Sequence, residues 1–256
     1  MIKLRENYIR NYKVRKMENL NERKPIDKDN DFIHDYNYNF SNGHVTVLFR
    51  KLEENLINLI NQHECVLGCV AWLTNEAILQ AMANCKAVCI IVQKEDFLRP
   101  DISSNKNWTK RLRNLYENLP EPIYKNDYNG IGGIINNLNV LNLSVNFEAV
   151  RCVGNHNSEK NPAFPRMHNK FLIFCDIKNV FDSNGDVVSK RIIPKKIWTG
   201  SFNLTYNSTF SLENAVVISS RKIANAYFNE WAFIVSLSEQ LDWKKPWIQP
   251  QFAIGT

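Results

Sequence analysis

The sequence has few chain-breaking residues and no long hydrophobic run. Glycine and proline contribute 9 residues each to a chain of 256, with 44% apolar and 23% charged residues. This composition excludes a collagen-like or generally disordered chain. The run Cys65–Leu73 reaches nine residues counting Gly68, well short of the roughly 18 of a membrane span. Residues 1–30 never place more than two apolar residues together, so we predict no secretory signal and a soluble, cytoplasmic protein.

Cysteines with the spacing of a metal site are also missing. The six cysteines lie mostly within apolar runs, at positions 65, 69, 85, 89, 152 and 175. Structural zinc sites use C-x2-C pairs together with a second ligand pair, and this pattern does not occur in the sequence. We therefore expect buried free thiols and predict neither a metal site nor a cofactor.

Positive charge is in modest excess and is concentrated at the start of the chain. There are 32 Lys and Arg against 26 Asp and Glu, which gives a net charge of +6 and a pI near 8.9. Residues 1–30 hold nine basic and five acidic residues. Such a surplus favours polyanionic partners such as nucleic acid or anionic lipid. We interpret residues 1–44 as a basic and polar arm that contacts nucleic acid, straps a dimer or tethers a partner protein.

The hydrophobic pattern from residue 45 onward is typical of an α/β domain. A strand (Val45–Phe49), a helix (Lys51–Gln62), a buried strand (Val66–Leu73), a helix capped by Thr74 and a buried strand (Ala87–Val92) form a βαβαβ unit. Strand patterns return at 143–150, Lys170–Phe174, Lys196–Thr199 and Asn214–Ile218, with a polar hairpin at Asp182–Gly185 and a final helix after residue 222. We predict a mixed sheet with helices on both faces, spanning residues 45–238, and an extended tail at 239–256.

Residues 94–141 do not continue this alternation of strands and helices. We predict that they form an insertion near the functional face of the sheet. Within them, Trp108 and Leu112 belong to the apolar stripe of an amphipathic helix. The other face carries Lys110, Arg111 and Arg113, which are candidate nucleic-acid contacts. A solvated helix face without a ligand is the alternative interpretation.

Three segments in the second half of the chain carry the candidate chemistry. His168 and Lys170 open one strand, Ser201 and Asn203 end another, and Glu213 precedes a third. Residues i and i+2 of a strand share a face, so His168 should project with Lys170, and Ser201 with Asn203. If the three strands are adjacent, these five side chains meet in one pocket.

These residue types suit a phosphodiester substrate. Lys170, Ser201 and Asn203 can bind phosphate oxygens, and neutral His168 can attack phosphorus in line. The Glu213 carboxylate can accept the Nδ1–H of His168 and leave Nε2 free for the attack. This chemistry requires no metal ion.

The segments resemble the HKD motif of the phospholipase D superfamily, H-x-K-x4-D followed by G-S-x-N. The resemblance rests on His168, Lys170, Gly200, Ser201 and Asn203, and extends to Glu213 with the following Asn-Ala-Val-Val-Ile. In these segments the chain is similar to the small bacterial endonucleases of that superfamily, and the resemblance covers about residues 45–238. The family Asp, counted from Lys170, falls at Cys175, one residue before Asp176. A one-residue shift at the strand end or loss of this Asp would explain the difference.

The resemblance implies a metal-independent phosphodiesterase, most simply a nuclease that hydrolyses DNA or RNA. Because the family mechanism uses two histidines and this chain carries one H-x-K, the resemblance implies a homodimer with a shared active site. One His168 would form a phosphohistidine and the other would act as general acid. A phospholipid-acting phosphodiesterase or phosphatidyl transferase, and a nucleic-acid-binding module without turnover, are the alternatives.

Overall fold

The computed structural model describes residues 18–23, 28–29, 39–99, 107–120, 138–140, 148–156 and 165–254. Most of the predicted arm, residues 100–106 and 121–137 of the predicted insertion, and most of the predicted strand 143–150 lie outside these ranges. The strands are β1 (Phe40–Ser41), β2 (Val45–Leu48), β3 (Cys65–Val70), β4 (Ala87–Gln93), β5 (Leu138–Val140), β6 (Val150–Val153), β7 (Lys170–Phe181), β8 (Val187–Gly200), β9 (Ala215–Ile218) and β10 (Phe252–Ile254).

Eight of these strands form one mixed sheet in the order β1-β2-β9-β8-β7-β3-β4-β6. The β3–β4 and β4–β6 pairs are parallel, and the other neighbours in this sheet are antiparallel. Strands β5 and β10 form a separate antiparallel pair. As a result, the beginning of β7, the end of β8 and the ends of β3 and β4 meet at one edge of the sheet.

Helices cover both faces of the sheet, as predicted. Helices α1 (Leu52–Ile60), α2 (Glu76–Ala83) and α3 (Asn107–Glu117) pack on one face, and α4 (Arg221–Ser236) packs on the other. The first face buries Leu56 and Ile78 fully, and the second buries Trp231 and Val235 fully. The continuous apolar runs of β3 and β4 follow from this arrangement, because both faces of the central strands are covered.

Helix α2 begins one residue later than predicted. Its N-cap is Asn75, whose side-chain oxygen accepts a hydrogen bond from the Ile78 N–H at 3.1 Å. The backbone N–H groups of Thr74 and Asn75 both donate to Leu204 O, at 2.8 and 2.9 Å. The assignment of Thr74 as the cap was wrong, because threonine and asparagine are both good caps and their order in the sequence does not decide between them.

The hairpin formed by β7 and β8 is much longer than the two predicted short strands. Its β7 strand pairs with β3 only as far as Cys175, and beyond that point β7 and β8 pair only with each other. The turn lies where it was predicted, with Gly185 at a φ of 87°, a left-handed conformation that favours glycine.

Residues 239–254 pack against the sheet rather than extending away from it. Glu239 forms a fully enclosed ion pair with Lys94, with 2.5 Å between Oε1 and Nζ. Trp243 is buried, and Phe252 starts the strand that pairs with β5. This segment therefore belongs to the folded domain, which extends past the predicted boundary at residue 238.

None of the helices in the described ranges is long and apolar enough to cross a membrane.

Candidate active site

His168 lies on a short segment that crosses the edge of the sheet before β7 begins. The backbone N–H of Met167 donates to Gln93 Oε1 at 2.8 Å, and the carbonyl of Asn169 accepts from Ala71 N at 3.0 Å. Gln93 ends β4, and Ala71 follows β3. Both neighbours of His168 are therefore fixed to the central strands, while the histidine itself is exposed.

Gln93 has a buried polar side chain, and its hydrogen bonds with the described residues are all made to the backbone. Its amide nitrogen donates to Lys94 O at 3.1 Å and to Asn155 O at 2.7 Å. The adjacent Gly154 has a φ of 96°, and a Cβ there would lie 2.2 Å from Gln93 Oε1. A glycine is needed at this position because any side chain would displace the amide that holds Met167.

Lys170 and His168 lie together, as the strand pattern predicted. Lys170 Nζ is 3.2 Å from His168 Nε2 and 3.3 Å from Nδ1, and it donates to the His168 carbonyl at 3.1 Å. Burial lowers the pKa of His168, and the charges of Lys170 and Arg166 lower it further. Burial also lowers the pKa of Lys170, while Glu213 opposes this change. A neutral imidazole at neutral pH is the form that can act as a nucleophile.

Ser201, Glu213 and Asn214 form a hydrogen-bonded group at the ends of β8 and β9. The Ser201 hydroxyl donates to Glu213 Oε2 and accepts from Asn214 N at 3.1 Å. The group depends on Gly200, since a Cβ there would lie 2.2 Å from the Asn214 carbonyl oxygen. Glu213 therefore binds Ser201, and the predicted bond from Glu213 to His168 Nδ1 is not formed. The Ser201 hydroxyl has one hydrogen, so it can donate to a phosphate only by leaving Glu213.

Asn203 presents an amide with unused hydrogen-bonding capacity. Its Oδ1 is buried and has no hydrogen-bond partner in the described part of the chain. The backbone beside it is fixed, because Leu204 N donates to Trp72 O at 3.2 Å and thereby joins the end of this segment to the end of β3. A buried amide without a partner is uncommon in folded proteins and is consistent with a ligand-binding role.

Asp176 lies far from the other candidate residues. The pairing of β7 with β3 is regular from Lys170 to Cys175. The register shift lies in β8, where Lys196 pairs with Phe174 and Pro194 pairs with Cys175, so Lys195 is the extra residue. The sixth residue after Lys170 lies about 20 Å along the strand, and Asp176 there pairs with Lys195 at 3.0 Å. The position counted from the motif is Cys175, which is fully buried.

The three cations of helix α3 do not form one exposed row. Arg111 pairs with Glu76, and Lys110 is exposed. Arg113 turns inward, because its Nε and Nη2 are buried without hydrogen-bond partners among the described residues and burial lowers its pKa. Arg113 is therefore only partly exposed, and its contact with nucleic acid stays a prediction.

The sequence analysis missed a second cation beside His168. Arg166 Nη1 lies 3.1 Å from Glu95 Oε1, and the Trp72 indole donates to the same oxygen at 3.0 Å. The only indication of this in the sequence is that Arg166 lies two residues before His168. That spacing indicates a shared site only if the segment is extended along the edge of the sheet.

Residues of the predicted arm touch the loop between Asn203 and Glu213. The Asn21 amide donates to Thr209 O and to Ser211 O, each at 3.0 Å. The short helical turn Leu20–Glu22 holds this side chain in place. The arm therefore passes beside the candidate site at this point.

The described ranges contain no group of three or more His, Cys, Asp or Glu side chains placed to hold a metal ion. Five of the six cysteines are buried free thiols, and Cys85 is partly buried. Burial raises the pKa of Cys85 to about 12, so this thiol stays protonated at neutral pH.

Among solved structures, the chain is similar to the following three proteins. Nuc from Salmonella typhimurium, a phospholipase D family member, is 15% identical with a TM-score of 0.43, over 76% of this chain and 95% of that one. NucT from Helicobacter pylori is 15% identical with a TM-score of 0.41, over 73% and 94%. TrmBL2, an archaeal chromatin protein, is 11% identical with a TM-score of 0.38, over 80% and 56%.

No protein-family model matches the sequence. Among curated proteins, the uncharacterized protein L381 of Acanthamoeba polyphaga mimivirus is 34% identical over 215 residues, which make up 82% of this chain and 71% of that protein. Because this similarity extends over most of both sequences, the chain belongs to the same protein family as mimivirus protein L381.

Proposed function

We propose that the protein is a metal-independent phosphodiesterase of the phospholipase D type that hydrolyses phosphodiester bonds in DNA or RNA. The observation that carries this proposal is the contact between Lys170 Nζ and the His168 ring, at 3.2 and 3.3 Å. A fixed ammonium beside an exposed imidazole provides both a phosphate-binding charge and a nucleophile at one point.

The proposed nucleophile is His168. Its lowered pKa favours the neutral ring at neutral pH, so a lone pair is available for in-line attack on phosphorus. As the N–P bond forms, the P–O bond to the leaving nucleotide breaks and its electrons pass to the leaving oxygen. Water then attacks phosphorus, the N–P bond breaks, and the free imidazole is restored.

Lys170 and Asn203 are the proposed phosphate-binding groups of the resting site. Lys170 supplies positive charge, and the Asn203 side chain would donate its Nδ2 amide hydrogens to a phosphate oxygen. Ser201 joins them when its hydroxyl turns from Glu213 to a phosphate oxygen. Glu213 is then a positioning residue that holds Ser201 and keeps Lys170 charged, in place of its predicted contact with His168.

The leaving oxygen needs a proton donor, and the reaction as proposed uses a second histidine for this step. We propose that the active enzyme is a homodimer whose two His168 rings hold one proton between them: the neutral ring attacks phosphorus, while the partner subunit's His168, in its protonated form, donates that proton to the leaving oxygen and afterwards accepts a proton from the attacking water. The exposure of His168 supports this arrangement, because its ring is open to a second molecule.

A nucleic-acid substrate is favoured over a lipid by the charges around the site. The cations Arg166 and Lys170 both lie at the sheet edge, and the chain as a whole carries a net charge of +6. The arm residue Asn21 contacts the loop between Asn203 and Glu213, and residues 1–30, to which it belongs, hold nine basic residues. Positive charge of this kind binds the phosphates of a polynucleotide.

The test is cleavage of labelled single-stranded DNA, duplex DNA and RNA in excess EDTA by the wild type, His168→Ala and His44→Ala. His44 is an exposed histidine outside the site and serves as the matched control. The proposal predicts that the wild type and His44→Ala cleave and that His168→Ala does not. Denaturing gels should also show a transient label on the protein that acid removes and base does not, as expected of a phosphohistidine.

Two outcomes would contradict the proposal. Cleavage that EDTA abolishes would show that a metal ion is required, and equal cleavage by His168→Ala would remove the nucleophile. If no nucleic acid is cleaved, hydrolysis of phospholipid vesicles would support a lipid substrate, and binding without any product would support a binding module.

A further inference from the structure

Arg166 is held in place by Glu95, and Glu95 is itself fixed by Trp72. Its Nη1 lies 3.1 Å from Glu95 Oε1, and Trp72 Nε1 donates to the same oxygen at 3.0 Å. Trp72 follows β3 and Glu95 follows β4. The guanidinium is thus anchored to the rigid centre of the sheet, although it belongs to a segment without regular secondary structure.

Arg166 and Lys170 lie at different positions along the order of strands in the sheet. Lys170 begins β7, and the Ser201 and Glu213 group lies beyond it, toward β9. Glu95, which binds Arg166, lies two strands away in the opposite direction, at about 10 Å from β7 by strand spacing. His168 is two residues from each cation along the chain, and both charges lower its pKa.

Resting on the proposed function, we propose that Arg166 binds a second phosphate of the substrate, next to the one attacked by His168, and so selects polynucleotides over molecules with a single phosphodiester. The strand would run along the edge of the sheet, with the scissile phosphate at Lys170 and the neighbouring phosphate at Arg166. Arg166 is then a specificity-determining residue for the same reaction.

The hydrogen bonding of Arg166 leaves room for this ligand. An arginine has five N–H donors in a planar fork, and among the described residues the ion pair with Glu95 uses only Nη1. Its side chain is 33% exposed, against 19% for Glu95, so the fork reaches solvent while the carboxylate lies deeper. Asp96, the next acid along the chain, is engaged by His156 at 3.1 Å. A guanidinium fork that is fixed and partly exposed is well suited to bind phosphate through two parallel hydrogen bonds.

The test compares a dinucleotide, which has one phosphodiester, with a trinucleotide, which has two. We expect Arg166→Gln to lower kcat/KM for the trinucleotide by about ten-fold or more, mainly through KM, since it removes a charged hydrogen bond. At a pH well above the pKa of His168, kcat/KM for the dinucleotide should fall much less, so the expected result is a lower ratio of the trinucleotide value to the dinucleotide value. Arg191→Gln is the matched control, because Arg191 is exposed on the distant β7–β8 hairpin, and it should change neither value.

A second measurement separates this inference from the proposed reaction. Fluorescence anisotropy with labelled dinucleotide and trinucleotide gives Kd for His168→Ala with and without Arg166→Gln, and it requires no turnover. A loss of affinity confined to the trinucleotide supports the second phosphate site even if the wild type cleaves neither substrate. Equal losses for both oligonucleotides, or no loss for either, would overturn the inference, whatever the outcome of the cleavage test.

Discussion

Gln93 Oε1 accepts a hydrogen bond from the backbone N–H of Met167 at 2.8 Å, and this bond joins the end of β4 to the residue before His168. Gln93 is almost fully buried, with 2% of its surface exposed. Its amide nitrogen is used by two further backbone carbonyls. The side chain therefore fixes the segment that carries the proposed nucleophile without contacting the substrate, and we regard it as a positioning residue.

Replacing Gln93 with alanine should reduce catalysis more than it reduces folding. The variant leaves the Met167 N–H and two carbonyls without their partner, at a cost of about 1–3 kcal/mol in the free energy of unfolding. Because His168 loses one of its two flanking anchors, we expect kcat to fall at temperatures where the variant is still fully folded. Urea unfolding and kcat for a dinucleotide, measured on the same samples, check both parts.

Gln80→Ala is the control for this prediction, since Gln80 is an exposed glutamine on helix α2. It should leave both the unfolding free energy and kcat nearly unchanged. A folded Gln93→Ala protein with the kcat of the wild type would show that the bond to Met167 does not position His168.

Gly200→Ala should disturb the site through the neighbouring strand. The new Cβ would lie 2.2 Å from the Asn214 carbonyl oxygen, so the backbone near Asn214 must move and the Ser201 group must rearrange. We expect a loss of about 1–3 kcal/mol in unfolding free energy together with a lower kcat/KM. Thermal unfolding and steady-state kinetics measure the two effects.

The contrast for Gly200→Ala is Gly43→Ala, where a Cβ meets no atom within 4 Å but the φ is 86°. That variant should lose stability through backbone strain alone, with kcat/KM unchanged in the folded protein. If Gly200→Ala is equally active, the close approach of β8 to Asn214 has no role in the site.

Local patterns in the sequence predicted the parts of the site that lie on one strand. His168 and Lys170 are two residues apart, and strand alternation placed them together, as the 3.2 Å contact shows. The mixed sheet with helices on both faces also followed from the spacing of apolar runs. These features depend only on neighbours along the chain, so one sequence contains enough information to predict them.

The parts that were missed depend on contacts between distant segments. Gln93 and Met167 are 74 positions apart, and no periodicity links a buried glutamine to a backbone N–H in another segment. Arg166 became recognisable only when Glu95 and Trp72 were found beside it. Glu213 was assigned to the wrong partner because two donor groups, the Ser201 hydroxyl and the His168 Nδ1–H, were both plausible from the spacing.

The pH dependence of kcat/KM should reflect the lowered pKa of His168. Burial, Lys170 and Arg166 all lower this pKa from the usual value of about 6.5. As the pH falls through the pKa of the folded protein, the imidazole gains a proton and can no longer attack phosphorus. We therefore expect the acidic limb of the profile to have its midpoint below 6.5.

Removing the charge of Arg166 should move this midpoint upward. Arg166→Gln takes away one of the two cations that disfavour the protonated ring, so the pKa rises toward 6.5. The dinucleotide is the right substrate for this measurement, because it has no second phosphate for Arg166 to bind. A midpoint that stays the same in Arg166→Gln, or that already lies above 6.5 in the wild type, would show that the limb belongs to another group.

The buried pair of Lys94 and Glu239 predicts a large difference between two similar substitutions. Lys94 is fully buried, and its Nζ is bound by Glu239, by Lys245 O at 3.1 Å and by Trp247 O at 2.6 Å. Glu239→Ala leaves this ammonium buried without a counter-charge, which should cost about 3–5 kcal/mol. It should also loosen residues 239–254, because the ion pair ties that segment to the end of β4.

Glu54→Ala removes the corresponding carboxylate from an exposed pair, in which the Lys51 and Glu54 side chains are 74% and 65% exposed. Solvent and salt screen that pair, so the loss should be under about 1 kcal/mol. Urea unfolding of both variants measures the difference, and proteolysis near residue 239 reports on the segment. Equal losses for the two variants would mean that the chain after residue 238 adds little to the stability of the domain.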